Sequence, residues 1–256
     1  MKKIQLLLLV LFGFSMTTGI IVSCKKDELK TVKTPSPYPP PPPGNPSFTE
    51  EFNNVGDLTA KGWVFKNNSQ PVGATGWRQG RYEPSASKFP VPYIGFQAYS
   101  SSTTPNDFVS CDGSCVNDIG EISAWLISPA LLMKNGDKIT FYTRALDDAA
   151  FIFYTKDRVQ VLANFTNGSS DVGQIATTTG SFTKVLLDIN PAYAENAISG
   201  YPEVWTKYTI TISGLAAPVS NARFAFRYFG TDAGASSNAT NTSSVVGIDQ
   251  LVFTSN

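Results

Sequence analysis

From residue 47 onward, apolar and polar positions alternate with period two in one short run after another. Side chains of a strand point to opposite faces in turn, so each run reads as a β-strand. In the last run, 245–253, Val246, Ile248, Gln250 and Val252 alternate with Val245, Asp249, Leu251 and Phe253, leaving both faces largely apolar. Residues 138–145 set Ile139, Phe141 and Thr143 against Thr140, Tyr142 and Arg144. Residues 222–229 set Ala222, Phe224, Phe226 and Tyr228 against Arg223 and Arg227. Further strands are predicted at 48–52, 62–65, 76–78, 90–99, 121–129, 151–154, 158–164, 183–187 and 205–212. No stretch keeps a 3.6-residue period through three turns. About ten short strands in roughly 210 residues predict an all-β chain with a single jelly-roll β-sandwich. The first strand and the last are expected to pair and close it. Residues 100–118 read as a long loop of the functional or mobile kind.

Asp249 is the odd residue of the last run, a carboxylate among Val246, Ile248, Leu251 and Val252. Burying an unpaired charge is costly, so it needs a partner. A hard cation such as Ca2+, bound through oxygens, is one choice. A hydrogen bond from a neighbouring loop is the other. Gly247 lets another backbone come close.

Composition narrows the chemistry. Lys+Arg and Asp+Glu are both 20, so no basic excess attracts nucleic acid. The chain has no histidine, which excludes Ser-His-Asp and Cys-His catalysis and any zinc site that needs imidazole. Carboxylate chemistry stays open. A glycoside hydrolase needs two carboxylates ~5–10 Å apart, and Asp107, Glu83, Glu121, Asp147 and Asp148 are available. Nothing fixes their pairing, and a polar turn is the plainer reading of Asp147-Asp148. Seventeen Phe, ten Tyr and four Trp suit a sheet core. Trp77, Tyr82 and Tyr99 lie near predicted loops and are the candidates for ligand contact, Trp77 first; core packing is the alternative for each. Trp63 and Trp125 are assigned to the core.

The amino terminus carries its own signals. Lys2-Lys3 precedes an apolar stretch, 4–14, too short to span a bilayer. Ile21-Val22-Ser23-Cys24 resembles a bacterial lipobox, which makes Cys24 the lipidated residue and 1–23 the signal peptide. Cys24-Lys25-Lys26-Asp27-Glu28 looks like the lysine-plus-acidic export signal of Bacteroidota lipoproteins. Removal of 1–23 takes two lysines, leaving 18 basic and 20 acidic residues. Residues 24–46 are a tether whose five consecutive prolines, 39–43, force polyproline II at ~3.1 Å per residue. With Cys24 lipidated, Cys111 and Cys115 are the two thiols left in an oxidising compartment, and a small disulfide ring is expected. A CxxxC redox or metal site is the sharper reading, though it lacks a second ligand pair.

Seven segments in order carry a family resemblance: Gly62-Trp63, AWLISP at 124–129, GDKITFYTRA at 136–145, DRVQVLAN at 157–164, LLDINP at 186–191, FAFRYF at 224–229 and GIDQLVF at 247–253. Together they resemble the choice-of-anchor J domain, related to the cleaved-adhesin domains of gingipain-type haemagglutinins. The resemblance covers 47–253 and implies a jelly-roll sandwich on a surface protein. It implies a mostly non-catalytic role and a structural Ca2+ held by first-strand acids and the Asp of the closing GID motif. The matching positions here are Glu50, Glu51 or Asn53, and Asp249. The departures are Asn53 and Gln250, where relatives often carry acids.

The expectation is therefore an outer-membrane, surface-exposed lipoprotein with its domain at 47–256. It would be an adhesin-like module for a glycan or a host or cell-surface protein. A structural or accessory subunit of a surface complex and a glycoside hydrolase are the alternatives. Cys24→Ala should release the protein from membranes, and protease added to intact cells should cut the wild type. Protection until lysis would end the surface assignment.

Overall fold

The computed structural model describes residues 47–82, 95–99, 104–147 and 154–256. The signal peptide, Cys24, the tether, Glu83, Asp148, residues 90–94 of one expected strand and 151–153 of another lie outside the described residues. Among the described residues there are fourteen strands: β1 (Phe48–Glu50), β2 (Val64–Asn67), β3 (Gln70–Val72), β4 (Arg78–Gln79), β5 (Val109–Asp112), β6 (Val116–Ile127), β7 (Leu131–Met133), β8 (Lys138–Ala145), β9 (Val159–Asn164), β10 (Lys184–Ile189), β11 (Thr206–Thr211), β12 (Val219–Gly234), β13 (Asn241–Thr242) and β14 (Val245–Thr254). They form two sheets. One runs β11-β8-β14-β5-β4 with β1 on β14; the other runs β10-β9-β12-β6-β2 with β3 on β6 and β7 and β13 on β12. All pairings are antiparallel except β12 with β13. β5, β6, β8, β9, β11, β12 and β14 alternate between the sheets, as a jelly-roll sandwich winds, and β10 adds to β9 within its own sheet.

The alternation read along β8 and β12 builds the interior. Phe141 of β8 meets Phe226 of β12 edge-on at 4.9 Å between ring centres, joining the sheets. Trp63 sits edge-on to Phe48, Phe52 and Phe224. A fully buried ring of this kind contributes about 1.5–3 kcal/mol. The chain ends do pair: Phe48 lies opposite Phe253, Thr49 opposite Val252 and Glu50 opposite Leu251.

The two outer faces are treated differently. Arg223 and Arg227 point away from the core, as their register predicts, yet both are buried. Arg223 Nε donates to the Gly168 carbonyl at 2.7 Å. Arg227 lies 3.8 Å over Phe229 and 5.0 Å over Trp125, and donates to Gln160 Oε1 at 3.0 Å. Burial, then the like charge of Arg158, lowers its pKa to about 10, so it stays charged at neutral pH. Val172 and Phe182, from the connection between β9 and β10, pack on Trp125, Ile127, Leu162 and Ala225 as a second small core. The outer face of this sheet is sealed there.

Within the expected loop at 100–118, residues 107–111, 113, 115 and 116 are buried. β5 occupies 109–112, a 3-10 turn spans Gly113–Cys115, and β6 begins at Val116. Asp112 makes the turn by accepting from Ser114 N–H at 3.0 Å and pairs with Arg78. Gly113 is required because a Cβ there would meet Ala235 N at 2.6 Å. Polar turn chemistry on a tight strand connection reads, in sequence, like a loop. Cys111 pairs across the ladder with Val246. Cys111 and Cys115, the pair expected as a disulfide, are both fully buried and stand as free thiols in the structure, with their side chains in hydrogen-bond contact. Burial, then the hydrogen bond with Cys115, pushes the Cys111 pKa well up, and a thiol so held is a poor nucleophile. Neither should react with a thiol reagent in the native protein, and both should react in denaturant without reductant. Silence in denaturant until reductant is added would restore the disulfide.

Candidate functional site

Asp249 is fully buried in β14. Between Asp249 and Val252 the register with β8 shifts, so β14 carries an extra residue, and Gln250 takes φ 45°. This bulge turns the Gln250 N–H onto Asp249 Oδ1 at 2.7 Å. The other oxygen, Oδ2, accepts the N–H of Tyr99 at 2.8 Å. The partner of the odd carboxylate is thus a loop backbone, the second of the two choices its sequence left open.

That bond fixes residues 95–99 across the outer face of the β11-β8-β14 sheet. Two more hold them: Ala98 N–H donates to Pro105 O at 2.9 Å, and Trp205 Nε1 donates to Gln97 O at 2.8 Å. Phe96 lies on Gly247, where a Cβ would stand 2.6 Å from the ring. The glycine is there for a side chain rather than for the backbone approach its position predicts. Phe96 packs on Phe108 at 5.1 Å and edge-on to Trp205 at 5.3 Å, and the Arg144 guanidinium stands 4.6 Å from its centre.

Tyr99 is the exposed end of this assembly. It is 40% exposed, stacks on Tyr142 of β8 with ring centres 3.7 Å apart and planes 17° apart, and meets Trp205 edge-on at 6.3 Å. Its hydrogen bond with the Tyr142 side chain, then desolvation, raises its pKa, so it stays a neutral phenol. Lys207 of β11 reaches over Tyr142 at 6.0 Å. A ring held on one face and open to solvent is a platform for a flat, partly apolar ligand.

The other candidates separate. Trp77 is not exposed: it is 6% accessible, and its Nε1 donates to the Ala124 carbonyl at 3.0 Å inside the core. The polar neighbours that suggested a loop, Arg78 and Gln79, form the two-residue β4 at the sandwich edge. Tyr82 is half-buried, its N–H bonded to Asn106 Oδ1 at 2.6 Å. Trp63 and Trp125 are core, as expected. Tyr142, Trp205 and Lys207 were not singled out as site residues. The available signal was Tyr142 in the outward register of β8, opposite Phe141.

The expected calcium ligands do not converge. Glu50 is buried and forms an ion pair with Lys61 at 2.9 Å, while its other oxygen accepts from Phe52 N–H at 3.2 Å. Asp249 is turned to the Tyr99 and Gln250 N–H groups. Asn53 is exposed and Glu51 half-buried. Burial, then repulsion from Glu50, raises the Glu51 pKa. Each oxygen of Glu50 and of Asp249 already accepts a hydrogen bond, which competes with a cation there. Among the described residues, no group of three or more His, Cys, Asp or Glu is placed to hold a metal.

No protein-family model matches the chain, and no curated protein does. Solved structures are similar to it. The K1 cleaved adhesin domain of Lys-gingipain from Porphyromonas gingivalis W83 is 20% identical, with 82% of this chain and 98% of that one covered, at TM-score 0.47. The K3 domain of the same protein is 17% identical over 81% and 98%, also at 0.47. A carbohydrate-binding module of the β-sandwich superfamily is 11% identical over 80% and 62%, at 0.42. At these identities and scores the likenesses assign no activity, and the chemistry of the face has to carry it.

Removing Asp249 should free the 95–99 segment. Asp249→Ala should destabilise the domain by about 1.5–3 kcal/mol, the size of a hydrogen bond to a charged group, and red-shift tryptophan fluorescence as Trp205 loosens. The wild-type melting temperature should not move with chelator. A drop on chelation that calcium reverses would reinstate the metal.

Proposed function

We propose that this chain is a non-catalytic binding module, carried on the cell surface by a lipid on Cys24, that takes a glycan on the Tyr99–Tyr142–Trp205 face. The observation that carries the reading is Tyr99, open to solvent, with its ring position fixed by Tyr142 and its backbone by a buried carboxylate. A site ordered before binding loses little entropy when a ligand arrives. The lipobox-like stretch and the proline tether support display at the surface.

Among the described residues, the carboxylates that come near this face, Asp147 and Glu203, act on Arg144; the other candidates lie elsewhere or are committed. Asp249 is committed to backbone donors, Glu121 belongs to β6 in the other sheet, and Asp107 is buried. The arrangement therefore supports binding without bond cleavage.

A glycan array probed with the full chain, followed by calorimetry, tests the reading. Tyr99→Ala should weaken the strongest binder about ten-fold or more, as loss of an aromatic anchor does, with the circular dichroism unchanged. Glycan binding indifferent to Tyr99→Ala would move the site elsewhere. A chain that captures a cell-surface protein and no glycan would be an accessory subunit.

A further inference from the structure

The face that carries Tyr99 continues past it. Outward residues of β11, β8, β14 and β1 line up in cross-strand rows. Lys207 lies beside Tyr142. The next row holds Thr209, Thr140, Val252 and Thr49, and the one after it Thr211, Lys138 and Thr254. Lys207, Lys138, Thr209, Thr211, Thr254 and Thr49 are exposed. The Thr140 and Thr209 hydroxyls bond each other at 3.2 Å. Lys207 and Lys138 are separated by four strand positions, about 13 Å at the rise of a strand, a span longer than one sugar ring.

The charge on this strip has one sign. Asp249 beneath it is fully buried and faces N–H donors. Glu50 points inward to Lys61. Glu51 is half-buried and follows β1, on the far side of β14. Asp147 and Glu203 act on Arg144, at the Trp205 end. Among the described residues, the exposed charges between Tyr99 and Lys138 are the two lysines, set among hydroxyl groups and an aromatic ring. A ligand carboxylate would add an ion pair at each of them; a neutral sugar would not.

We infer that the glycan bound here is acidic: a uronate-bearing oligosaccharide lying along β8 and β11, one ring on Tyr99, its carboxylates against Lys207 and Lys138, its hydroxyls over the threonines. This rests on the glycan reading above and adds the charge of the ligand. Ammonium groups act as point charges, so selectivity comes from total charge more than from geometry and fades with salt.

Calorimetry on the full chain tests it with oligogalacturonide and alginate oligosaccharides, and with the methyl-esterified oligogalacturonide, which keeps the backbone and loses the charge. At low ionic strength the acidic probe should bind more tightly than its ester. Lys207→Gln and Lys138→Gln should each weaken it about two- to five-fold, the range of an exposed ion pair, and leave the ester unmoved. Tyr99→Ala should weaken both forms, and high salt should close the gap between them. Equal affinity for acid and ester, or lysine variants without effect, overturns the acidic ligand while the glycan reading stands. So does an array in which neutral glycans bind and uronates do not. An array with no binder of either kind removes the glycan reading itself.

Discussion

A carboxylate buried in a sheet must be given donors or lose its charge, and the way Asp249 meets that demand shapes one whole side of this domain. Its two oxygens take the N–H groups of Gln250 and Tyr99. The first bond is local and goes with a bulge in β14. The second reaches 150 residues along the chain and lays residues 95–99 on the sheet. Phe96, Phe108, Leu146 and Val245 then form a separate apolar cluster with Ala98 and Trp205 packed against it. One polar requirement inside the last strand thus becomes an ordered aromatic surface outside it.

The two sheets share an interior, but their outer faces have opposite fates. On the β10-β9-β12 side, Arg223 and Arg227 are covered, and their donors are spent on carbonyl oxygens and Gln160. Arg158 is bound by Asp188 through both Nε and Nη2. Those positive charges are satisfied within the fold and offer little to a ligand. On the β11-β8-β14 side, Lys207 and Lys138 stay in water beside an open ring. A module that binds from the side of a sandwich needs such an asymmetry, one face finished and one face available.

Rigidity at the available face comes from packing and hydrogen bonds made as the chain folds. Gly247 gives Phe96 its seat, and the Trp205 indole holds Gln97. The free energy of placing Tyr99 is supplied by folding, which leaves the ring ready for contact. The same logic explains why the buried thiols and the Arg78–Asp112 pair at the β4–β5 edge belong to structure: each is committed to neighbours.

Period-two alternation by itself determined the all-β character of the chain, the inward row Ile139–Phe141–Thr143 and the outward setting of Arg223 and Arg227. These follow from side-chain direction along a strand, which is local. Alternation could not reveal that a segment far away would bury those arginines, since covering an outward face depends on what another part of the chain does. Turn-forming residues at Asp112-Gly113-Ser114 hid a strand–turn–strand connection, and polar neighbours hid the burial of Trp77. The carboxylate at 249 announced a need for a partner, and its surroundings named two kinds. Only the tertiary structure chose between them, because a hydrogen bond across 150 residues is set by how the chain returns to the sheet, and that return is written in no single segment.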